Sequence, residues 1–407
     1  MNLRQNPYLK WLNVAIDYWN PFEALTCHQR VGVGQGGHHL AHFGFDQRIT
    51  ARACPTLMRA GFKRDVDCAA TRRFSSLRQC HGLGICHGKT QGRRRLRGKP
   101  LVAWHLERLA AAGGKHKVEW TKAWGGTLIK IGSESKGISD GVADFGFVGT
   151  LFEAAKFPMQ NVSYVAPFGT DNLGAVGSIV ADMQKSIPAM GDTWTKNGLV
   201  YLGGTALDTY HLWTNFPVKS IDDLKGKKIS APGPSANWIK NTGAVAVAGS
   251  LPTYYEDIKS GVSNGAITFS TGAWGAKLHE VAPYVTKVNF GSMYAGAIVM
   301  NKRRFDGLPP EVQQVFREVG VEYDKRFAEA QRSTADALLQ KMAAAGATVS
   351  ELPAAERQRW ADTIPNVAQT WAADLQGKGA PGTEILKAYM EGLKKSGAQL
   401  PRDWSVK

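Results

Sequence analysis

Val142-Ala-Asp-Phe-Gly-Phe147-Val148, entered through the turn signal Asp140-Gly141, reads as a short buried strand, and the text around it decides the fold. Residues 128–139, just before it, read as a helix or helical turn. Earlier still, His116-Lys-Val118-Glu-Trp120-Thr is a strand that Trp124-Gly-Gly126 turns away. Downstream, Leu199-Val-Tyr-Leu202 and Lys228-Ile-Ser-Ala231 are further strands with glycine or proline punctuation. Strands alternating with helices predict βαβ units and a mainly parallel sheet, an α/β class. Residues 308–345 form the clearest helix, with Pro309-Pro310 at its start and Val312, Val315, Phe316 and Val319 at helical spacing. Two more helices follow, near 354–376 and 383–396, parted by Gly377-Lys-Gly-Ala-Pro-Gly382.

Outward from this region the composition changes. The chain has 407 residues and a net charge of +16, yet residues 1–114 hold 18 Lys+Arg against 6 Asp+Glu, leaving 32 against 28 for the rest. Arg108 is followed by no arginine until Arg303, and Cys27, Cys54, Cys68, Cys80 and Cys86 all precede residue 115. The basic balance that would point to nucleic acid therefore sits outside the patterned part. No apolar run approaches the roughly 20 residues of a membrane-spanning helix, and Met1-Asn-Leu-Arg-Gln-Asn-Pro lacks a secretory signal plan.

Residues 1–112 show no sustained periodicity apart from a helical-looking start, Trp11–Trp19, ended by Asn20-Pro21. Gly32-Val-Gly34-Gln-Gly-Gly37 has the letters of a dinucleotide fingerprint without the strand and helix that give it meaning. His38, His39 and His42, with Cys80-His81 and Cys86-His87, do not have zinc-site spacing. Arg93-Arg-Arg95-Leu-Arg97-Gly-Lys99 offers charge to phosphates with no aromatic platform for bases. An upstream or shifted reading frame of GC-rich coding sequence produces all of these features together. This segment is therefore expected to be no folded domain, either disordered or mistranslated.

Beyond residue 115 no cysteine is available as a nucleophile, and neither a Gly-x-Ser-x-Gly elbow nor a phosphate-binding Gly-x-x-x-x-Gly-Lys-Ser/Thr loop occurs. His116, His211 and His279 are lone histidines. The expectation is a binder with no enzymatic activity, cofactor or metal. An enzyme using His211 with Asp208 and a nucleic-acid binder acting through the basic N-terminal segment are the alternatives.

Four motifs carry a resemblance in order: Ser139-Asp-Gly141-Val-Ala-Asp144-Phe-Gly-Phe147, Lys219-Ser-Ile-Asp-Asp223-Leu-Lys-Gly226-Lys-Lys-Ile229, Ser260-Gly-Val-Ser-Asn-Gly265 and Val299-Met-Asn301-Lys-Arg-Arg-Phe-Asp-Gly-Leu308-Pro. Over about residues 113–400 the chain resembles the DctP-type solute-binding proteins of tripartite ATP-independent periplasmic (TRAP) transporters. The resemblance implies a two-lobe, type II periplasmic-binding-protein-like receptor with mixed sheets, a hinge and long C-terminal helices. Its lobes would close on a small organic solute and dock on TRAP permease membrane subunits in the periplasm, as a monomer or dimer, with no nucleic acid. Residues 113–207 plus about 296–336 are assigned to lobe I, and 208–295 plus about 337–400 to lobe II. The family's first strand and most of its first helix are missing ahead of Lys115, so a gap in the first sheet is expected.

The site departs from the resemblance. Carboxylate-binding members place an arginine right after the Lys-Lys-Ile strand, where this chain has Ser230; a second arginine position falls on Tyr210, and an asparagine position on Thr268. A guanidinium fork meets a carboxylate bidentately, and hydroxyls do not replace that charge. Either the ligand is neutral or zwitterionic, or its carboxylate is held by a lysine such as Lys122 or Lys130, a helix N-terminus or backbone amides. Trp213, Trp238 and Trp274 adjoin these positions, Thr150 is the opposite-lobe polar contact, and Phe147 and Trp124 complete the candidate set. Rings and hydroxyls together predict an aromatic or polyhydroxylated ligand.

Overall fold

The computed structural model describes residues 116, 118, 120–124 and 126–406, with the backbone of Leu12–Ile16. The side chains of Trp120, Lys122 and Trp124 lie outside that description, as do Gly32–Gly37, the His and Cys steps and Arg93–Lys99.

Two sheets organise the described chain. The first has the order β2-β1-β3-β10-β4, from β1 (Leu12–Ile16), β2 (Trp120–Trp124), β3 (Phe145–Gly149), β4 (Leu199–Leu207) and β10 (Met293–Asn301). The second has the order β11-β9-β5-β8-β6-β7, from β5 (Tyr210–Thr214), β6 (Lys228–Ala231), β7 (Val245–Ala248), β8 (Gly265–Phe269), β9 (Tyr284–Lys287) and β11 (Thr348–Glu351). Both are mixed: β1 runs parallel to β2 and β3, whereas β10 is antiparallel to β3 and β4.

Leu12–Ile16 corrects two expectations at once. It is a strand within the range read as helical, and it stands between β2 and β3, so the first sheet has no gap there. Leu12, Val14 and Ile16 alternate with Asn13 and Ala15, and Val and Ile favour extended backbone. A five-residue run fits either period, and pairing on both sides selects the strand. Boundaries also shift: the second strand begins at Trp120 rather than His116, the first described helix is Glu134–Ser139, and Pro365 divides the expected 354–376 helix into Ala354–Thr363 and Val367–Gly377.

Three segments cross between the sheets. Strand β4 ends at Leu207 and β5 begins at Tyr210, while Val288–Ser292 return the chain from β9 to β10. These crossings are bonded to each other, Tyr210 N–H donating to Gly291 O at 3.0 Å and Phe290 N–H to Tyr210 O at 3.1 Å. The third crossing is the 35-residue helix Pro310–Ala344, which packs on β4 and also meets helix Ser270–Gly275 and β11. Its approach to β4 requires glycine, since a Cβ at Gly203 would stand 2.5 Å from Gly320 O.

The largest core runs through both lobes, joining Tyr210, Leu212, Ile229 and Ile267 of the second sheet to Tyr164, Val176, Tyr389 and Leu393. Helix Gly382–Lys395 packs on helix Leu173–Ser186, which itself lies on β4 and β10. Within about residues 337–400, β11 belongs to the second sheet, whereas the last helix packs on a helix that lies on the first. Its buried stripe Ile385, Leu386, Tyr389, Met390 and Leu393 needs an apolar partner, which the lobe I helix provides.

Candidate functional site

The carboxyl ends of parallel strands are where α/β sheets hold ligands, because the loops there are free to vary while the strands fix their roots. Here the loop after β3 and the loop after β6 meet: a Cβ at Gly233 would stand 3.2 Å from Leu151 Cδ1. Polar atoms without partners gather at these strand ends. Thr150 Oγ1 follows β3, Ser230 Oγ lies within β6, and Tyr254 OH belongs to the helix Leu251–Lys259 that follows β7; all three are buried without a hydrogen-bond partner. An unpaired buried hydroxyl costs about 1–3 kcal/mol.

Strand register sorts the predicted residues. Tyr210 pairs with Phe269 and His211 with Thr268, so Tyr210 and Thr268 lie on opposite faces of the second sheet. Ser230 pairs with Ala266 and shares the face of Thr268, His211 and Trp213. What Tyr210, Ser230 and Thr268 have in common is the sheet edge formed by the start of β5 and the ends of β6 and β8.

Tyr210 faces an aromatic group. Its ring meets Phe269 at 5.2 Å, Trp238 at 5.6 Å and Tyr164 at 6.0 Å between centroids, and its hydroxyl is 3.1 Å from that of Tyr164. Burial, with Tyr164 and Tyr254 nearby, pushes its hydroxyl well above the ordinary tyrosine range, so it stays neutral. Trp238 is fully buried and stacks on Tyr164, and its Nε1–H is committed to Tyr164 O at 2.7 Å. Its packing is that of a core side chain.

The other tryptophans separate. Trp213 is fully buried on the Thr268 face with Nε1 unpartnered. Trp274 is half-buried, stacked on His279 at 4.9 Å with Lys341 Nζ 5.9 Å above its ring, away from the Tyr210 group. Phe147, half-buried on β3, packs against both large cores. Trp124 closes β2, Lys130 is exposed, and the side chains of Trp124 and Lys122 are outside the described set.

His211 and Asp208 are not a pair. His211 Nδ1 accepts from Asn289 N–H at 3.2 Å, and burial drives its pKa down to about 3, leaving it neutral. Asp208 accepts from Thr271 Oγ1 at 2.6 Å and from Thr271 N–H at 3.1 Å, while burial raises its carboxyl to about 6. Gln331 Nε2 of the long helix donates to Thr271 Oγ1 at 3.3 Å. These bonds brace the first crossing.

Sequence reasoning did not single out Tyr164, Asn161, Tyr254 or the Thr271–Gln331 brace. Among the described residues, no group of three or more His, Cys, Asp and Glu can hold a metal, and no helix is long and apolar enough to cross a membrane.

A sequence model of the family described as DctP, bacterial extracellular solute-binding protein, family 7, matches residues 101–374. A solute-binding protein of Sulfitobacter sp. (strain NAS-14.1) is 30% identical over 183 residues, 44% of this chain and 54% of its own length. The chain thus spans about half of that relative. The crystal structure of a TRAP solute-binding protein from Rhodoferax ferrireducens T118 with copurified benzoate has a TM-score of 0.64 at 21% identity, covering 73% of this chain and 92% of its own. That of a Bordetella pertussis extracytoplasmic solute receptor binding pyroglutamic acid has a TM-score of 0.60 at 22% identity, covering 71% and 93%.

Proposed function

The chain belongs to the DctP family of bacterial extracellular solute-binding proteins, and from that premise we propose that it captures one small organic acid between its lobes in the periplasm and delivers it to a TRAP permease. The observation that carries this reading is the set of buried, unpartnered hydroxyls of Thr150, Ser230 and Tyr254 around the meeting strand ends.

The finer proposal concerns the ligand. No arginine lies between Arg108 and Arg303, so the positions that resemble carboxylate-binding arginines are the hydroxyls of Tyr210 and Ser230. A desolvated carboxylate without a cation costs several kcal/mol. An aromatic or polyhydroxylated acid recovers part of that cost, because rings cover its plane and hydroxyls bond its substituents. Of the ligands held by the structural relatives, benzoate is an aromatic acid, and pyroglutamic acid is a small ring acid that carries an amide in place of hydroxyls. His211 and Asp208 are each bonded elsewhere, which supports binding without turnover.

Native mass spectrometry of the protein purified without added ligand tests the reading. One small organic molecule per chain, released on denaturation, is expected. Recovery of nucleic acid in place of a small molecule, with salt-dependent release, would favour the basic-segment alternative.

A further inference from the structure

Asn161 lies at the end of the 3-10 turn Met159–Asn161, ahead of Tyr164. Its Nδ2 donates to Thr150 O at 3.0 Å and to Phe157 O at 3.2 Å. Both donors of the amide are thereby spent on backbone carbonyls. Flipping the amide would set its oxygen against those two carbonyl oxygens, so the orientation is fixed by chemistry. The remaining atom, Oδ1, is buried with no partner, and Thr150 Oγ1, on the residue whose carbonyl Asn161 holds, is buried and unpartnered as well. The next residue, Leu151, is the one that approaches Gly233 across the lobes.

Unpartnered polar atoms flank this approach along the chain, since Thr150 precedes Leu151 and is held by Asn161, and Ser230 shortly precedes Gly233. On the second lobe Ser230 and Tyr254 present hydroxyls, which donate or accept as the occupant requires. On the first lobe an amide oxygen only accepts. A buried acceptor is satisfied only by a donor, and a site built around one rejects the analogue that lacks it.

Resting on the proposed solute-binding reading, we infer that Asn161, supported by Thr150, is a specificity-determining residue that selects small organic acids bearing a hydroxyl or amide N–H over those that carry none. Asn161 Oδ1 takes that proton, and Thr150 Oγ1 bonds the same group or its neighbour. The plain aromatic acid is then the poorer ligand, and the hydroxylated or lactam acid the better one.

Isothermal titration of the full chain with two matched pairs tests this: benzoate against 3-hydroxybenzoate, and cyclopentanecarboxylate against pyroglutamate. The donor-bearing member is expected to bind at least about tenfold more tightly in at least one pair. In Asn161→Leu that ratio falls to near one. Because Asn161 also supports two carbonyls, Thr150→Val is the second variant, and it is expected to lower the ratio while the protein melts as the parent does. Equal affinities within both pairs in the parent chain, or a ratio unchanged in both variants, would overturn the inference. Failure of all four acids to bind would overturn the solute-binding reading for this ligand class, and the inference with it.

Discussion

The hydroxyls of Tyr164 and Tyr210 stand 3.1 Å apart, both rings wholly buried, one on the short helix Val162–Val165 and the other at the first residue after the strand crossing. This bond ties the helix beside the first sheet to the start of the second. It also explains why Tyr210 occupies a position where the resemblance expects a guanidinium: the ring fills the aromatic group, and the hydroxyl is already partnered.

Tyr164→Phe and Tyr210→Phe are each expected to lower stability by about 0.5–1.5 kcal/mol, the ordinary net worth of a hydrogen bond. Because each change breaks the same bond, the double variant should lose clearly less than the sum. A urea double-mutant cycle reads this, and strict additivity would show that the two hydroxyls do not interact.

Ser230 behaves differently, because its buried Oγ has no partner in the protein. Ser230→Ala should leave stability unchanged or raise it by up to about 1 kcal/mol, since an unsatisfied group is removed. Ligand affinity should fall in the same variant. Calorimetric melting combined with titration separates the two effects, and a loss of stability would mean that Ser230 serves the fold.

Much of this was legible in the sequence, and the reasons differ by element. Strands β3, β4 and β6 and the helix Pro310–Ala344 announce themselves by local apolar period and by Gly or Pro punctuation. Strand β1 does not, since five residues fit two periods and its partner Trp120 lies far along the chain. The Tyr164–Tyr210 pair and the Asp208–Thr271–Gln331 brace join segments 46 to 63 residues apart, and no periodicity encodes such meetings. The four motifs pointed to the site edge, but only strand register showed that Tyr210 and Thr268 lie on opposite faces.

Strand β1 makes a prediction about the N-terminal segment. Among the described residues, Leu12–Ile16 alone of the first 100 takes part in the first sheet, pairing with both Trp120–Trp124 and Phe145–Gly149. Removing residues 25–95 should leave a protein that melts cooperatively. A chain beginning at residue 113 loses the strand between β2 and β3, leaving their backbone groups unpaired, and should melt lower. Equal melting of the two deletions would contradict the role of β1.

The buried acid Glu134 sets a pH dependence. Its carboxyl, beside Glu153, is raised by burial to about 8, while Glu153 is held low by its bonds with Lys156 and Ser135 despite desolvation. The folded chain therefore keeps a proton at Glu134 that the unfolded chain releases above about 4.5. Its contribution to stability should fall as pH rises from about 4.5 to about 8 and level off beyond. In Glu134→Gln that fall should be absent, so the melting difference between variant and parent grows with pH over this window. A difference independent of pH would show that Glu134 is ionised in the fold.

The most direct test of the central claim is a thermal-shift screen of the full chain against simple dicarboxylates, aromatic acids, sugar acids, polyols and neutral amides, since a ligand of the native state raises the melting temperature by mass action. The proposed site, with hydroxyls where the resemblance expects arginines, predicts stabilisation by aromatic or polyhydroxylated acids and little response to bare dicarboxylates. Stabilisation by bare dicarboxylates alone would contradict it, and would mean that a cation does the work proposed for the hydroxyls of Thr150, Ser230 and Tyr254.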